Sequence, residues 1–253
     1  MRKIEYSEID AFITASIMKP FYDDRLRKLK ELNLENILKR KNPYLFKAKN
    51  IETSGEFVKY ILDAFLSSQE ETIFGNLLEE LAIFICAKVF KGKKAEQGVF
   101  KSVDLQFEKD NKHYIVGIKS GPNWGNKDQV DAMKLNFKVA KALLKTSGIK
   151  KEVVAVNGCI YGKERTPFKE NEDPEKSYYK ICGQEFWEFI SGDSNLYKNI
   201  ILPLDKEAKA RGEYFKEVYA QKSNEMIKEF SDSFLTKSGQ IDWEKIVDFV
   251  SKK

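Results

Sequence analysis

Two residues of this chain have the types and the setting for metal-assisted hydrolysis: Asp104 and Lys119. Asp104 lies in Val103-Asp104-Leu105-Gln106-Phe107, where apolar and polar residues alternate as in a strand with one buried face. Successive side chains of a strand point to opposite faces, so Asp104 leaves the face that carries Val103 and Leu105. Tyr114-Ile115-Val116-Gly117-Ile118 reads as a second, more buried strand that ends at Lys119. In it, Lys119 shares a face with Gly117 and opposes Val116 and Ile118. The short polar segment Glu108-Lys109-Asp110-Asn111-Lys112 between the two implies a hairpin. A hairpin brings Asp104 and Lys119 side by side at one edge of a sheet. A carboxylate and a strand-ending lysine so placed can hold a divalent cation beside an activated water. The simpler alternative is a cross-strand ion pair on a solvated face, which is common and contributes little.

The residues after Lys119 favour the functional reading. Ser120-Gly121-Pro122-Asn123-Trp124-Gly125-Asn126-Lys127-Asp128-Gln129 is glycine-rich, polar and opens a helix. A loop directly after a strand is where binding groups are displayed, and a mere connection needs neither a tryptophan nor two asparagines. Other chemistries are excluded. His113 is the only histidine, which rules out an HExxH zinc site and leaves a Ser-His-Asp triad without support. Cys86, Cys159 and Cys182 are widely spaced with no CxxC pattern, so buried free thiols are expected rather than a zinc site or disulfides.

The elements that must position this pair follow from periodicity. Leu26, Leu29, Leu32, Leu34 and Ile37 are spaced for one buried helical face, and Phe57, Ile61, Leu62, Phe65 and Leu66 repeat it after a break at Asn42-Pro43. Ser67-Ser68-Gln69-Glu70-Glu71 has the form of a helix start, with a capping hydroxyl and early acids. The helix it opens carries Phe74, Leu77, Leu78, Leu81 and Ile85 on one side. Gly75, Glu79, Ala82 and Cys86 lie on the flank, where small residues let a ligand approach a carboxylate. Val130, Met133, Phe137, Ala140 and Leu144 mark a helix after the hairpin, Val153 to Ile160 a buried strand, and Tyr178 to Cys182 a short one. The rest is mostly helical, with Trp187 and Trp243 expected in core or interface positions. The middle thus runs helix, strand, strand, helix, strand: an α/β core with extra helices at both ends. No repeat, low-complexity stretch or long linker appears, so one domain over 1–253 is the simplest organisation, with its core at about 69–182.

The net charge of +5 is modest, but it is bunched at Lys39-Arg40-Lys41, Lys47, Lys49 and Lys91-Gly92-Lys93-Lys94. That distribution favours a polyanionic partner. No apolar run is long enough to span a membrane, and the segment Met1 to Tyr6 has no signal-like apolar stretch, so a cytoplasmic location is expected.

Asp104, followed by the strand His113 to Lys119 and its polar loop, resembles the PD-(D/E)XK nuclease motif. The wider chain is similar to type II restriction endonucleases, especially those cutting GGNCC-like sites. The similarity is carried by Asn42-Pro43-Tyr44-Leu45-Phe46, Phe74-Gly75-Asn76-Leu77-Leu78-Glu79-Glu80, Ile118-Lys119-Ser120-Gly121, Gly183-Gln184-Glu185-Phe186-Trp187 and Asp242-Trp243-Glu244-Lys245. The core motif alone is short and degenerate; the ordered set of segments is far more specific. One departure stands out. The pattern places an acid two residues before the lysine, and here that residue is Gly117. Some members of the superfamily take this acid from the preceding helix, which points to Glu79, with Glu80 as the alternative.

The resemblance implies a restriction-endonuclease-like fold and Mg²⁺-dependent cleavage of double-stranded DNA with 5′-phosphate ends. Asp104, Glu79 and the carbonyl oxygen of Ile118 would hold the ion, and Lys119 would orient the water or stabilise the transition state. For DNA contact, Asn123, Trp124, Asn126, Lys127 and Gln129 of the loop adjoin the catalytic strand. Lys163 and Arg165 follow a later strand, and the run at 39–42 could hold backbone phosphates or simply be a solvated surface. A palindromic site implies a homodimer. Two alternatives stay open: a repair or recombination nuclease of the same fold, and an inactive DNA-binding relative that lost the acid at Gly117.

Overall fold

The expected hairpin closes on two residues, Asp110 (φ 50°) and Asn111 (φ 57°), in the computed structural model of the chain. Two-residue hairpin turns with positive φ at both positions match the natural twist of the strands, and Asp and Asn tolerate that backbone better than most residues. Lys109 and Lys112 pair across the turn, which sets Phe107 opposite Tyr114 and Leu105 opposite Val116. Residues 3–96 and 98–252 are described, apart from the Ala210 side chain; Met1 and Arg2 of the N-terminal segment discussed above lie outside them.

Contacts divide the chain into two compact units. One runs through Ile17 and resumes from Gly75 to Lys206; the other takes Met18–Phe74 and the residues from Glu207 onward.

The first unit contains a six-stranded mixed sheet among the described residues. Its strands are β1 (Lys93–Lys94), β2 (Leu105–Lys109), β3 (Lys112–Lys119), β4 (Glu152–Cys159), β5 (Phe168–Lys169) and β6 (Tyr178–Cys182), in the order β1-β2-β3-β4-β6-β5. The β3–β4 and β4–β6 pairs are parallel and the others antiparallel. Strands β1 and β5 are two residues long, too short for any periodicity to show. In this unit Tyr6–Phe12 forms helix α1, followed by the π-helical turns Ile13–Met18.

Helix α2 (Lys19–Lys30), α3 (Leu34–Leu38) and α4 (Pro43–Ala48) belong to the second unit, and α5 (Ser54–Phe90) begins there and ends in the first. The expected single helix over Leu26 to Ile37 is therefore two, because Asn33 caps a new start by accepting from the Asn36 amide. The helix start expected at Ser67-Ser68 is also corrected. A capping box at Thr53 and Glu56 begins α5 thirteen residues earlier by number, at Ser54: the Glu56 amide donates to Thr53 Oγ1 and the Thr53 amide to Glu56 Oε2, both at 3.2 Å. Ser67 and Ser68 are exposed mid-helix residues. The aromatic centre of this unit is Phe57, stacked on Phe230 and tilted against Phe46 and Trp243.

Helix α6 (Lys127–Thr146) makes the crossover between the parallel strands β3 and β4. Its Met133, Phe137, Ala140 and Leu144 pack with Val103, Ile115, Val153, Ala155 and Tyr178. Helix α7 (Gln184–Ser191) buries Phe186, Trp187 and Ile190, and a Cβ at Gly158 of β4 would fall 2.3 Å from the Phe186 ring. Phe189 of the same helix meets both Phe107 and Tyr114 edge-on. With α6 over one set of side chains and α7 over the alternate set, the middles of β3 and β4 are largely apolar, with Asn157 the exception in β4. The chain ends with α8 (Leu196–Asn199), α9 (Ile201–Phe234) and α10 (Trp243–Ser251). This is the α/β architecture expected, a mixed sheet flanked by helices. The cysteines are free and buried. Among the described residues no helix is long and apolar enough to cross a membrane.

The turn carries a test of this register. Replacing Asn111 by Val forces a β-branched side chain into the left-handed region and should cost about 1–2 kcal/mol of unfolding free energy, read as a lower denaturant midpoint with an unchanged slope.

Candidate active site

Asp104 stands one residue ahead of β2 rather than inside it. Ser102 adopts φ 58°, its hydroxyl bonded to Asn136 Nδ2 at 2.8 Å, and this bend delivers the chain to the sheet edge. The Asp104 amide still donates to Val116 O at 2.8 Å, and its carbonyl accepts from the Ala95 amide at 2.9 Å. The side chain then reaches β3: Oδ2 accepts the Ile118 amide proton at 2.7 Å. A charge-assisted bond of that length, with the residue 7% exposed, fixes the carboxylate in one place.

Lys119 ends β3, and its Nζ lies 3.9 Å from the same Oδ2. That is an ion pair but too long for a hydrogen bond, so the two charges face a shared space. The hairpin thus brings Asp104 and Lys119 together. Lys119 Nζ also lies 5.4 Å from the centroid of the Trp124 ring, within cation–π range.

Glu79 enters the same field from α5. Burial, reinforced by the Asp104 charge, raises its carboxyl pKa to about 7, against the opposing pull of Lys94 and Lys119. Glu80, the alternative acid, hydrogen-bonds to Lys94, with both side chains about half exposed. Helix α5 comes close to the end of β3 at Gly75, one helical turn before Glu79. A Cβ there would lie 2.5 Å from Ser120 Oγ. The glycine at 117 has an equally definite reason. Its Cβ would sit 2.5 Å from the carbonyl oxygen of Ser102 and 3.4 Å from the Phe137 ring, so no carboxylate can be grown from that position without moving backbone.

The loop after Lys119 is held at many points. Gly121 lies against the Tyr161 ring and Gly162 (φ 103°) against Pro122, while Lys180 Nζ donates to Pro122 O at 2.8 Å. Asn126 and Gln129 form a reciprocal capping box at the start of α6, Asn126 Oδ1 accepting from the Gln129 amide and Gln129 Oε1 from the Asn126 amide, each at 3.0 Å. Asn123, Asn126, Lys127 and Gln129 are exposed; Trp124 is half-buried against the α6 core, with its Nε1 donating to Asn157 Oδ1 at 3.1 Å. Lys163 and Arg165 are exposed on either side of Glu164, which ion-pairs with Lys169 and Lys180. Lys39 of the basic run pairs with Glu35 in the second unit.

Sequence reasoning missed Asn157. The signal was present, since a lone asparagine interrupts the apolar run Val153 to Cys159, but its partner Trp124 lies far away in sequence.

Among the described residues no group of three or more His, Cys, Asp or Glu side chains is placed to hold a metal ion. A cation here would therefore take two carboxylates, Asp104 and Glu79, and complete its shell with backbone oxygen and water. All of these are hard oxygen donors, and a sparse set of them is the usual preference of Mg²⁺. The arrangement suits polarisation of a phosphate and protonic handling of a water.

Residues 7–212 match the family described as type II restriction endonuclease EcoO109I. No curated protein matches the chain.

The crowding at residue 117 gives the prediction for this centre. Gly117→Asp should fail to supply a working acid and should destabilise the fold by about 1–3 kcal/mol, measured as a lower Tm. A stable, fully active Gly117→Asp protein would contradict the packing described.

Proposed function

We propose that this chain, which belongs to the type II restriction endonuclease EcoO109I family and is therefore a site-specific deoxyribonuclease, hydrolyses double-stranded DNA with Mg²⁺ at a short palindromic site. The site is of the GGNCC-like kind, the products carry 5′-phosphate ends, and the working form is a homodimer. The observation that carries the chemistry is the Asp104 carboxylate, locked on the Ile118 amide and facing both Lys119 and the Glu79 carboxyl.

In this reading Asp104, Glu79 and the Ile118 carbonyl oxygen would hold the ion, which would supply polarisation of the scissile phosphate and a more acidic water. Asp104 is aimed by its bond from the Ile118 amide, which fixes the direction of its carboxylate. Glu79 would have to give up its proton to serve as a ligand. Lys119 presents its ammonium group to the attacking oxygen and to the negative charge that grows on the phosphorane, where a fixed cation is worth most. Water adds to phosphorus, the P–O3′ bond breaks, and the 3′ oxygen takes up a proton. Exposed Asn123, Lys127, Lys163 and Arg165 are suited to phosphate or base-edge contacts. Asn126 and Gln129 keep only their amide NH₂ groups for DNA, because their oxygens are spent on the cap.

Asp104→Ala and Lys119→Ala should each lower plasmid cleavage about 10²–10³-fold or more, while specific DNA binding in Ca²⁺ persists. Glu79→Ala should weaken apparent metal affinity about 10–100-fold, whereas Glu80→Ala, which removes a half-exposed ion pair, should cut within about twofold of wild type. Specific binding without cleavage in Mg²⁺ or Mn²⁺ by the wild-type protein would favour an inactive relative, and cutting confined to ends or flaps a repair nuclease.

Glu79 also imposes a pH dependence. The folded protein holds this proton up to about pH 7, whereas an ordinary glutamate releases it near 4.5. The metal-free fold therefore loses stability as pH rises between those values, because the unfolded chain deprotonates first. Metal binding displaces the proton, so Mg²⁺ affinity should weaken as pH falls below about 7. Titrations of the metal ion at several pH values should show this slope in wild type and its loss in Glu79→Gln; an unchanged slope in the variant would remove Glu79 from the ligand set.

A further inference from the structure

We propose that Trp124 and Asn157 are a positioning device for Lys119: the buried amide sets the plane of the indole, and the indole face holds the lysine ammonium beside Asp104 without letting the two collapse into a contact pair. The proposal rests on Lys119 acting at the cleavage centre.

Asn157 lies in β4, 1% exposed, in a run that is otherwise apolar. A buried amide without partners is expensive. Here both ends are used. Its Oδ1 accepts the Trp124 indole proton at 3.1 Å, and its Nδ2 donates to the carbonyl oxygen of Gly117 at 3.3 Å, across the pair in which Gly117 faces Asn157. One side chain thereby joins the loop tryptophan to the catalytic strand two residues before Lys119. An indole has a single donor, so the partner of that donor fixes how the ring turns about its attachment. The ring also packs against the buried cluster to which Met133, Phe137 and Ile115 belong.

That leaves the ring face, and Lys119 Nζ occupies it at 5.4 Å from the centroid. A flexible lysine next to a carboxylate normally shortens to a direct salt bridge. Here the separation from Asp104 Oδ2 is 3.9 Å, and the competing attraction of the indole face supplies a reason. Trp124 accordingly has its N–H, one face and an edge committed within the protein. It serves the reaction by holding Lys119, and DNA contact falls to its exposed neighbours.

The test compares side chains that keep volume with those that keep a π face. Trp124→Phe retains an aromatic face and loses the tie to Asn157; Trp124→Leu fills space without a π face; Asn157→Leu keeps the indole and removes both its tie and the bond to Gly117 O. Single-turnover cleavage should fall in the order wild type, Trp124→Phe, Trp124→Leu, the last by about tenfold, and Asn157→Leu should fall between wild type and Trp124→Leu. Kd for cognate DNA in Ca²⁺ should stay within about twofold throughout. A filler role predicts equal rates for Phe and Leu, and a DNA-contact role predicts a rise in Kd at unchanged single-turnover rate; either result overturns the proposal. A second readout needs no cleavage. In the free protein the Lys119 ε-CH₂ protons should be shifted upfield by the indole ring current, the shift persisting in part in Trp124→Phe and vanishing in Trp124→Leu. An unshifted Lys119 in the wild type overturns the positioning device even if the enzyme cuts; a shifted Lys119 in a protein that never cuts DNA leaves the device standing and overturns the nuclease reading.

Discussion

The hydrogen bond from the Ile118 amide to Asp104 Oδ2 is the interaction on which the centre depends, because it gives a residue outside the strand a fixed carboxylate. At 2.7 Å and almost without solvent, it aims the carboxylate and joins β3 to the segment before β2 through a side chain. The same segment is anchored by backbone bonds to Val116 and Ala95. A carboxylate on a freely rotating side chain would share its time among rotamers; one pinned by a backbone donor is organised before any ligand arrives.

Pinning Asp104 in this way has a steric consequence at residue 117. Delivering Asp104 to the sheet edge needs the left-handed bend at Ser102, and the carbonyl of Ser102 then points into the space that a Cβ at 117 would occupy. With the strand position blocked, the proposed reading takes its second carboxylate from α5, which lies against Ser120 at Gly75.

The local part of this arrangement was legible in the sequence. Strand parity, a five-residue polar turn and a strand-ending lysine are short-range signals, and they were enough to bring Asp104 and Lys119 to one edge. Gly117 was readable as an absence, although its cause, the Ser102 carbonyl, belongs to another strand's approach. Helix starts were less legible. Ser67-Ser68-Gln69-Glu70-Glu71 carries the same residue types as a cap, but on an exposed stretch of a long helix those types serve solvent equally well; the box that does cap, Thr53 with Glu56, was overlooked for it. Asn157 was conspicuous by type. What it does depends on Trp124 and Gly117, both distant in sequence, and no periodicity reports such a meeting. The grouping of Met18–Phe74 with the residues from Glu207 is a property of long-range contacts for the same reason.

Charge balance ties these pieces to the chemistry. Asp104 is paired with Lys119, and burial beside Asp104 raises the Glu79 carboxyl pKa to about 7, so the cluster resists a second negative charge. In the proposed reading a divalent cation would favour the ionised form of Glu79, since it would offer Asp104 and Glu79 a shared counter-charge. Lys119 would then be relieved of its part in neutralising Asp104, leaving its charge for the phosphate. A lysine held at 3.9 Å from its carboxylate and against an indole face needs little movement to make that exchange. A tight salt bridge would first have to be broken, and that energy would be added to the barrier for every turnover.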